Sequence, residues 1–413
     1  MPFQLDKEVL KPLVEQVNAL AARPDNALKA QRWKYCNALG PQNRRERPPV
    51  IVCATFGPEF DGGRFRPALV CENEDLRKLE ERLRTTLLRS RVVPDDAVYA
   101  PAAWHVPRAV RGWGCYGLSS RHEGATPGSG GAFHIQPVIL EPRDLDKIQP
   151  EDLRWDRAQD EREFARWRDL VGDLLPVKFS PPTPVIMPIN DYNFLRGPEN
   201  LLMDLAADPE FAHEGIRRVA AGIEKWCRQL EELNLLELNN QGPYATDDLP
   251  APGFDPQHVR LRDLFVFTEA QEFTSVSPEM HLEFAIRYER PIAELFGLVS
   301  YGCCEDLTNK IEQVATIRNL RQIGVTPWAD PVKCAERIGE RYSISWRPSP
   351  AVLASPLREA ELRRSFREAL SAFRANGCAL SVMLKDLHTC GGDPARLTRW
   401  TEILNEEIEK VWD

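Results

Sequence analysis

Apolar and polar residues alternate along this chain in a way that predicts two kinds of element. From about residue 265 onward, short apolar runs are separated by stretches whose apolar residues recur every three or four positions. The runs predict β-strands at 265–267, 298–301, 322–325, 342–345 and 379–384. The stretches predict helices at 278–296, 306–317, 331–339, 359–376 and 394–411. Regular alternation of strand and helix is typical of a parallel sheet covered by helices.

The first half of the chain predicts more elements of the same kinds, in a less regular order. Strands are predicted at 49–54, 95–99, 175–179 and 235–238, and helices at 73–89, 144–173 and 203–233. The stretch 112–131, rich in glycine and serine, predicts an irregular insertion. The number of strand–helix units predicts an α/β fold made of a single (β/α)8 barrel, a TIM barrel that carries this insertion.

The N-terminal segment differs from the rest, because it is helical without a preceding strand. Val9, Leu13 and Val17 fall on one face of the helical pattern between residues 7 and 39. Isolated helices are marginal in water, so we expect this face to pack on the barrel or on a second subunit, as in a homodimer. We therefore predict two parts, a helical arm over 1–46 and a barrel over 47–413.

Charge and composition argue against several classes of protein. The 413 residues include 53 basic and 62 acidic side chains, mixed throughout, for a net charge of -9. Without a basic block, nucleic-acid binding is not expected. No apolar run approaches the ~18 residues of a membrane span, and the N-terminus lacks a signal-peptide pattern. The ten cysteines follow no disulfide-framework spacing, so we expect reduced thiols and a cytoplasmic protein.

The strongest chemical signal is the sequence Tyr-Gly-Cys-Cys-Glu at 301–305. Adjacent residues of a strand point to opposite faces, so we expect the preceding strand to end before Cys303 and Cys304. Thiolates at a strand end suit a metal or nucleophilic catalysis. The competing interpretation is one buried cysteine with an incidental neighbour.

Polar and reactive residues follow the other predicted strands in the same way. In α/β barrels the chemistry lies at the carboxyl ends of the strands, so these side chains are expected to face one mouth. They are Glu269, Gln271, Tyr301, Cys303, Cys304, Glu305, Trp328, Arg347, Asp386, His388 and Cys390. Asp386 is a candidate to orient His388 or to act as an acid or base. For Asp330, capping of the next helix is favoured over catalysis, because Pro331 follows it.

If a metal is bound, the cysteines favour zinc, because thiolate ligands select zinc among the common divalent ions. Cys303 and Cys304 alone do not complete a site, and a third ligand is expected from Cys390, His388 or Glu305. The chain has no HExxH and no CxxC motif. The metal signal therefore rests on the cysteine pair.

Several motifs together resemble bacterial proteins of the uroporphyrinogen decarboxylase superfamily. They are Tyr-Gly-Cys-Cys-Glu at 301–305, Ile-Arg-Asn-Leu-Arg at 317–321, Thr-Pro-Trp-Ala-Asp at 326–330, Arg-Pro-Ser-Pro-Ala at 347–351 and Lys-Asp-Leu-His-Thr at 385–389. Leu-Arg-Gly-Pro-Glu-Asn at 195–200 also matches. The resemblance runs from about residue 48 to the C-terminus and implies a single (β/α)8 barrel.

The superfamily contains porphyrinogen decarboxylases and methyltransferases that work with a corrinoid protein. The decarboxylases resemble one another in an Arg-Gln-Ala-Gly-Arg motif for substrate carboxylates, whereas residues 54–59 here read Ala-Thr-Phe-Gly-Pro-Glu. The methyltransferases carry a His-x-Cys zinc motif and a distal cysteine. Tyr301 stands in the place of that histidine, Cys303 in the place of the cysteine, and Cys390 matches the distal one. The chain is thus more similar to the methyltransferase branch.

This resemblance implies an enzyme that moves a methyl group from a small methylated substrate to the corrinoid of a partner protein, with zinc assisting. The implied catalytic residues are His388, Asp386 and Glu305, the zinc ligands Cys303, Cys304 and Cys390, and the substrate contacts Glu269, Gln271, Tyr301, Trp328, Arg347 and Arg196. Two alternatives stay open. One is a metal-independent decarboxylase or lyase in which arginines bind a small carboxylate substrate, and the other is a non-catalytic binding barrel.

Overall fold

A computed structural model describes residues 2–40, 46–112, 118, 121–124 and 133–412. The strands are β1 Val50–Val52, β2 Trp104–Pro107, β3 Val110–Arg111, β4 Arg121–Gly124, β5 Phe133–Gln136, β6 Arg154–Trp155, β7 Val177–Ser180, β8 Val185–Ile186, β9 Phe265–Thr268, β10 Leu298–Tyr301, β11 Leu320–Val325, β12 Ser343–Trp346 and β13 Ala379–Leu384. The helices are α1 Pro2–Ala21, α2 Pro24–Asn37, α3 Glu74–Val92, α4 Arg157–Val171, α5 Pro188–Arg196, α6 Pro198–Ala207, α7 Pro209–Glu232, α8 Pro278–His281, α9 Arg287–Ala293, α10 Ile311–Val314, α11 Pro331–Ile338, α12 Glu359–Ala375 and α13 Ala395–Trp412. A π-helical turn, Leu282–Ile286, joins α8 to α9.

Seven parallel strands form the central sheet, in the order β1-β13-β12-β11-β10-β9-β8. Strands β9 to β13 lie where the apolar runs predict them, and each is joined to the next through helical segments. The prediction of an α/β fold with a parallel sheet is confirmed. Within the described residues no backbone pairing joins β8 to β1, so closure into an eight-stranded barrel is not observed.

The predicted strand at 95–99 is absent, and this segment meets the edge of β1 through one backbone hydrogen bond, from the Asp96 N–H to the Val50 carbonyl at 2.8 Å, and through two side chains. Oδ2 of Asp95 accepts the Val52 N–H at 2.8 Å, and Oδ2 of Asp96 accepts the Val50 N–H at 2.9 Å. An edge strand otherwise leaves such donors unpaired. Two carboxylates therefore complete the β1 edge where a further strand was expected.

The predicted strand at 235–238 is also absent, for a similar reason. Just beyond it, the Asn239 amide pairs with the start of β9. Its Nδ2 donates to the Phe265 carbonyl at 2.7 Å, and its Oδ1 accepts the Phe265 N–H at 3.1 Å. One side chain thus supplies the two hydrogen bonds that a neighbouring strand would supply.

Some predicted elements are shorter in the structure. The helix expected over 144–173 begins only at Arg157, where the Asp156 side chain caps α4 by accepting the Gln159 N–H. The helix expected over 306–317 is reduced to α10. The predicted insertion at 112–131 contains β4, which pairs with β5 in an antiparallel hairpin, and most of its other positions lie outside the described residues.

The N-terminal helices pack on the rest of the chain. Leu10 of α1 is buried in a cluster that includes Leu76 and Leu79 of α3. On α2, Nε1 of the buried Trp33 donates to the carbonyl of Asp96 at 2.8 Å. The division of the chain at residue 46 stays a prediction.

The helices are amphipathic and cover the sheet with aromatic side chains. Trp346 at the end of β12 meets Phe366 of α12 edge to face, with ring centroids 5.9 Å apart. Phe366 meets Trp400 of α13 in the same way at 5.5 Å. Such edge-to-face pairs add to the free energy gained by burying the rings. In the described part of the chain, no helix has the length and apolar content needed to cross a membrane.

Candidate functional site

Reactive side chains meet beyond the carboxyl ends of β10 and β13. Cys303 follows β10 and Lys385 follows β13, and their side chains touch, with Lys385 Nζ 3.2 Å from Cys303 Sγ. The two strands are three places apart in the sheet. On a flat sheet that separation would be about 14 Å. The contact therefore combines the reach of the Lys385 side chain with curvature of the sheet.

Cys303, Cys304, Lys385 and Asp386 form a compact group, termed here the dithiol cluster. The two sulfurs lie 3.7 Å apart. The Lys385 ammonium donates to Cys303 Sγ at 3.2 Å and to Cys304 Sγ at 3.3 Å, and its Nζ lies 3.1 Å from Asp386 Oδ2. One cation thus bridges both sulfurs and the carboxylate.

The charge state of the dithiol cluster follows from burial and from these contacts. Burial raises the pKa of the Cys303 thiol to about 12, although the Lys385 charge opposes the shift. Burial and the Arg347 charge lower the pKa of Lys385, but its contacts with Cys303 and Asp386 prevail and hold it above the usual value. These contacts of Lys385 with Cys303 and Asp386 keep the lysine protonated at neutral pH.

Glu305 and Arg347 hold the turn that carries the two cysteines. Oε2 of Glu305 accepts the Cys303 N–H at 2.7 Å, and its Oε1 accepts the Ala270 N–H at 3.2 Å. Nη1 of Arg347 donates to the carbonyl of Gly302 at 2.7 Å and also to that of Cys303. Both side chains are buried and bound to backbone, so the structure gives them a positioning role. Their predicted catalytic and substrate-binding roles stay predictions.

Two glutamates, Glu269 and Glu272, follow β9 near the turn that carries the two cysteines. Glu269 is almost fully buried, and its Oε2 accepts the Gln271 N–H at 2.7 Å. Burial, together with the charges of Glu272 and Glu305, raises the pKa of Glu269 to about 8. Burial also raises the pKa of Glu272, whose Oε1 accepts from the Asn190 amide at 2.8 Å. Glu269 therefore holds a proton at neutral pH.

An open cleft of about 710 Å³ lies beside the dithiol cluster and gives it access to solvent. Its lining includes Gln271, Glu272, Thr274, Cys304, Asp306 and Trp328. Trp328 is 76% exposed, which is unusual for so large an apolar side chain. Asp330 accepts the N–H groups of Val332 and Lys333, so it caps α11 as the sequence predicts.

Tyr301 is buried below the cleft and does not line it. Its hydroxyl donates to Glu289 Oε2 at 2.8 Å and lies 2.8 Å from Nε2 of His281. Burial lowers the pKa of His281 to about 3 and raises the pKa of Glu289 well above its usual value. All three side chains are fully buried. The structure therefore does not bring the Tyr301 hydroxyl to the predicted substrate surface.

Cys390 and His388 lie in the loop after β13, apart from Cys303 and Cys304. Cys390 Sγ donates to Asp61 Oδ2 at 3.0 Å, and the same oxygen accepts the Cys390 N–H at 2.9 Å. The His388 side chain is exposed, and its backbone carbonyl accepts the Asp61 N–H at 2.9 Å. The predicted orientation of His388 by Asp386 is not seen as a hydrogen bond among the described residues.

Arg196, a predicted substrate contact, is bound elsewhere. Its Nε and Nη2 donate to the two carboxylate oxygens of Asp204 at 2.7 and 2.9 Å, and its Nη1 donates to two backbone carbonyls. Arg196 is the last residue of α5, and its guanidinium packs over the Phe211 ring. The structure does not bring Arg196 into contact with the dithiol cluster.

The predicted three-cysteine set does not fit a zinc site in this arrangement. Cys303 and Cys304 are adjacent, but Cys390 is bound to Asp61, and the Lys385 ammonium sits against both sulfurs. Over the described ranges, no three or more histidine, cysteine, aspartate and glutamate side chains are grouped to hold a metal ion. Zinc binding stays a prediction of the sequence, and no step below depends on it.

Lys385 is the central residue to which the sequence assigned no role. It directly follows the strand predicted at 379–384, so the rule that places Asp386 at the mouth places Lys385 there as well. His281 and Glu289 are harder to find, because they lie on a helical pattern typical of packing. Their pairing with Tyr301 is visible only in three dimensions.

Comparison with known proteins adds little to this description. No protein-family model matches the chain, and no curated protein matches it. Among solved structures, one similar chain is a methyltransferase from Methanosarcina mazei, at 10% identity and a TM-score of 0.47. The match covers 89% of this chain and 95% of that one. A likeness at this level carries no argument about function.

Proposed function

We propose that this protein is a methyltransferase. It would take the methyl group of a small methylated compound, an ether or an amine, and pass it to the cobalt of a corrinoid on a partner protein. The observation that carries the proposal is a pair of proton-bearing groups at the site, Lys385 and Glu269. Ether oxygens and amines leave poorly unless they are protonated. The motifs shared with the methyltransferase branch support the same choice.

In this proposal the substrate lies in the cleft, against Trp328 and Gln271. Lys385, whose Nζ lies 3.3 Å from the sulfur of the cleft-lining Cys304, or Glu269, which accepts the N–H of the cleft-lining Gln271, gives its proton to the leaving oxygen or nitrogen. The leaving atom keeps the electron pair of the broken carbon bond. The methyl group forms its new bond with an electron pair from the acceptor. Solvent returns the proton to the enzyme, with Asp386 and the exposed His388 as acid–base groups on that path.

The two alternatives are less well supported. A carboxylate-binding lyase needs available arginines at the site, but Arg347 is buried with its Nη1 on backbone carbonyls, although its Nε has no partner among the described residues, and Arg196 is bound to Asp204. A non-catalytic barrel is expected to have a filled mouth, whereas the cleft beside Cys304 is open. The partner protein and a cytoplasmic location belong to the proposal.

The test supplies small methyl ethers and methylamines together with free cob(I)alamin as the acceptor. Methylation of the acceptor is followed by its absorption spectrum, and the demethylated product by mass spectrometry. Replacing either proton donor, in Lys385→Met or Glu269→Gln, should lower the rate by roughly 10²–10⁴-fold. Lys78→Met is the matched control, because Lys78 makes the same 3.1 Å contact with an aspartate on the surface of α3.

Two outcomes would contradict the proposal. One is release of carbon dioxide from a carboxylate substrate without any methyl acceptor, which would favour the lyase. The other is full methyl transfer by both Lys385→Met and Glu269→Gln, which would remove the proton donors from the reaction.

A further inference from the structure

The spacing of the two thiols in the dithiol cluster suits a ligand that bonds to both. Cys303 and Cys304 lie on a turn rather than a strand, so their side chains need not diverge, and their sulfurs are 3.7 Å apart. Two sulfurs bonded to one central atom at about 2.3 Å are separated by roughly 3.8 Å when the geometry is tetrahedral, and by a few tenths of an ångström less at a pyramidal trivalent centre. Little movement is therefore needed to place one atom between them.

The charge around the pair determines which kind of central atom it accepts. The Lys385 ammonium lies 3.2 and 3.3 Å from the two sulfurs, closer than the Asp386 carboxylate, whose Oδ2 is 3.7 Å from Cys304 Sγ, and would repel a divalent cation there. A neutral electrophile that condenses with thiols meets no such repulsion. Trivalent arsenic bearing an organic group and two hydroxyls is such an electrophile.

We propose that Cys303 and Cys304 form a binding site for monosubstituted trivalent arsenicals, R–As(OH)2. Each thiol forms one sulfur–arsenic bond, each arsenic–oxygen bond breaks, and two water molecules leave. The thiol protons go to the departing hydroxyls, and Lys385 can relay them because it contacts both sulfurs. Arsenic stays trivalent, so no oxidant or reductant is needed. This binding does not depend on the proposed methyl transfer.

The surroundings provide room for the organic group of such a ligand. Cys304 and Trp328 line the same open cleft of about 710 Å³. The exposed indole of Trp328 offers an aromatic surface beside the thiol pair. We therefore expect aryl arsenicals to be retained more strongly than inorganic arsenite.

Phenylarsine oxide, which forms the dihydroxide in water, is the probe. Reduced, desalted protein receives one equivalent, then excess glutathione, and the intact mass is recorded. One phenylarsenic group should remain per chain, on the peptide that contains both cysteines, and a small dithiol should remove it. Cys303→Ser and Cys304→Ser should each weaken retention by roughly 10²–10⁴-fold, since the second thiol acts as an intramolecular partner.

Cys53→Ser and Cys390→Ser are the matched controls, one thiol being exposed and the other buried, and both should retain the label. Retention of the label in Cys304→Ser, or its mapping to another peptide in the wild type, would overturn the proposal. So would complete protection of the pair by stoichiometric zinc, because the site would then accept a cation despite Lys385. The mass readout needs no methyl donor, so failure here leaves the methyltransferase test untouched.

Discussion

At the scale of single residues, the absence of a side chain at position 324 determines how the dithiol cluster is held. A Cβ on Gly324 would lie 2.9 Å from Arg347 Nη1 and 2.9 Å from the Gly302 carbonyl oxygen. Arg347 donates to that same carbonyl and to that of Cys303, so the added methyl group would displace the turn. Close approach of backbone and guanidinium thus requires glycine here.

We expect Gly324→Ala to lower the free energy of unfolding by about 1–3 kcal/mol, as overpacking of a buried site does. It should also change the rate at which Cys303 and Cys304 react with a thiol reagent. Urea denaturation and reagent kinetics on the same protein measure the two effects. Gly57→Ala is the control, since the nearest atom to its added Cβ is 3.9 Å away. Equal stability of the two variants would contradict this account of Arg347.

At the scale of elements, helix α1 is stabilised by a buried apolar face that includes the predicted Leu13 and Val17 together with Leu10, whereas the predicted Val9 is only half-buried. Leu10 is fully buried on this face, whereas Leu5 of the same helix is 66% exposed. Replacing Leu10 with alanine should cost about 2–5 kcal/mol of unfolding free energy. Leu5→Ala is a matched control with the same chemical change, and it should stay within about 0.5 kcal/mol of the wild type. If the two variants melt alike, α1 does not pack on α3 in solution.

At the scale of the whole molecule, the buried Glu269 links stability and activity to pH. Its pKa is about 8 in the folded protein, against 4.5 for an ordinary glutamate. A carboxyl group with a raised folded pKa binds its proton more tightly in the folded state than in the unfolded state. Its contribution to stability is therefore complete below pH 4.5 and is lost as the pH rises through about 8. The proton it donates in the proposed reaction is lost over the same upper range.

The stability of the wild type should therefore fall as the pH rises from about 4.5 to about 8 and then level off, because above about 8 neither state holds this proton, whereas turnover should fall as the pH passes about 8. In Glu269→Gln this part of the stability profile should flatten, because the amide does not titrate. The measurement is chemical denaturation from pH 6.5 upward. The lowered pKa of His281 changes stability in the opposite direction, but only at pH values below about 6.5. An unchanged slope in Glu269→Gln would assign the loss of stability to another group.

The periodicity of apolar residues determined the second half of the fold. Strands β9 to β13 and helices α11 to α13 bury apolar faces, so apolar residues recur in the local sequence with the period of each element. The position of Cys303, Cys304 and Asp386 beyond strand ends followed from the same pattern. The rule about parallel strands then predicted that these side chains share one edge of the sheet, and the structure brings Cys304 into contact with both Cys303 and Asp386 there.

Contacts between distant segments were decided only by the tertiary structure. Asp95 and Asn239 complete strand edges with side chains, so their segments look like strands in sequence but are not. Curvature of the sheet and the reach of the Lys385 side chain bring its ammonium against two thiols that lie more than 80 positions earlier in the chain. The raised pKa of Glu269 depends on burial and on neighbouring carboxylates, which no local pattern records. The periodicity of apolar residues indicates which face of a strand or helix is buried. The charges and contacts of a side chain depend instead on which distant residues pack against it.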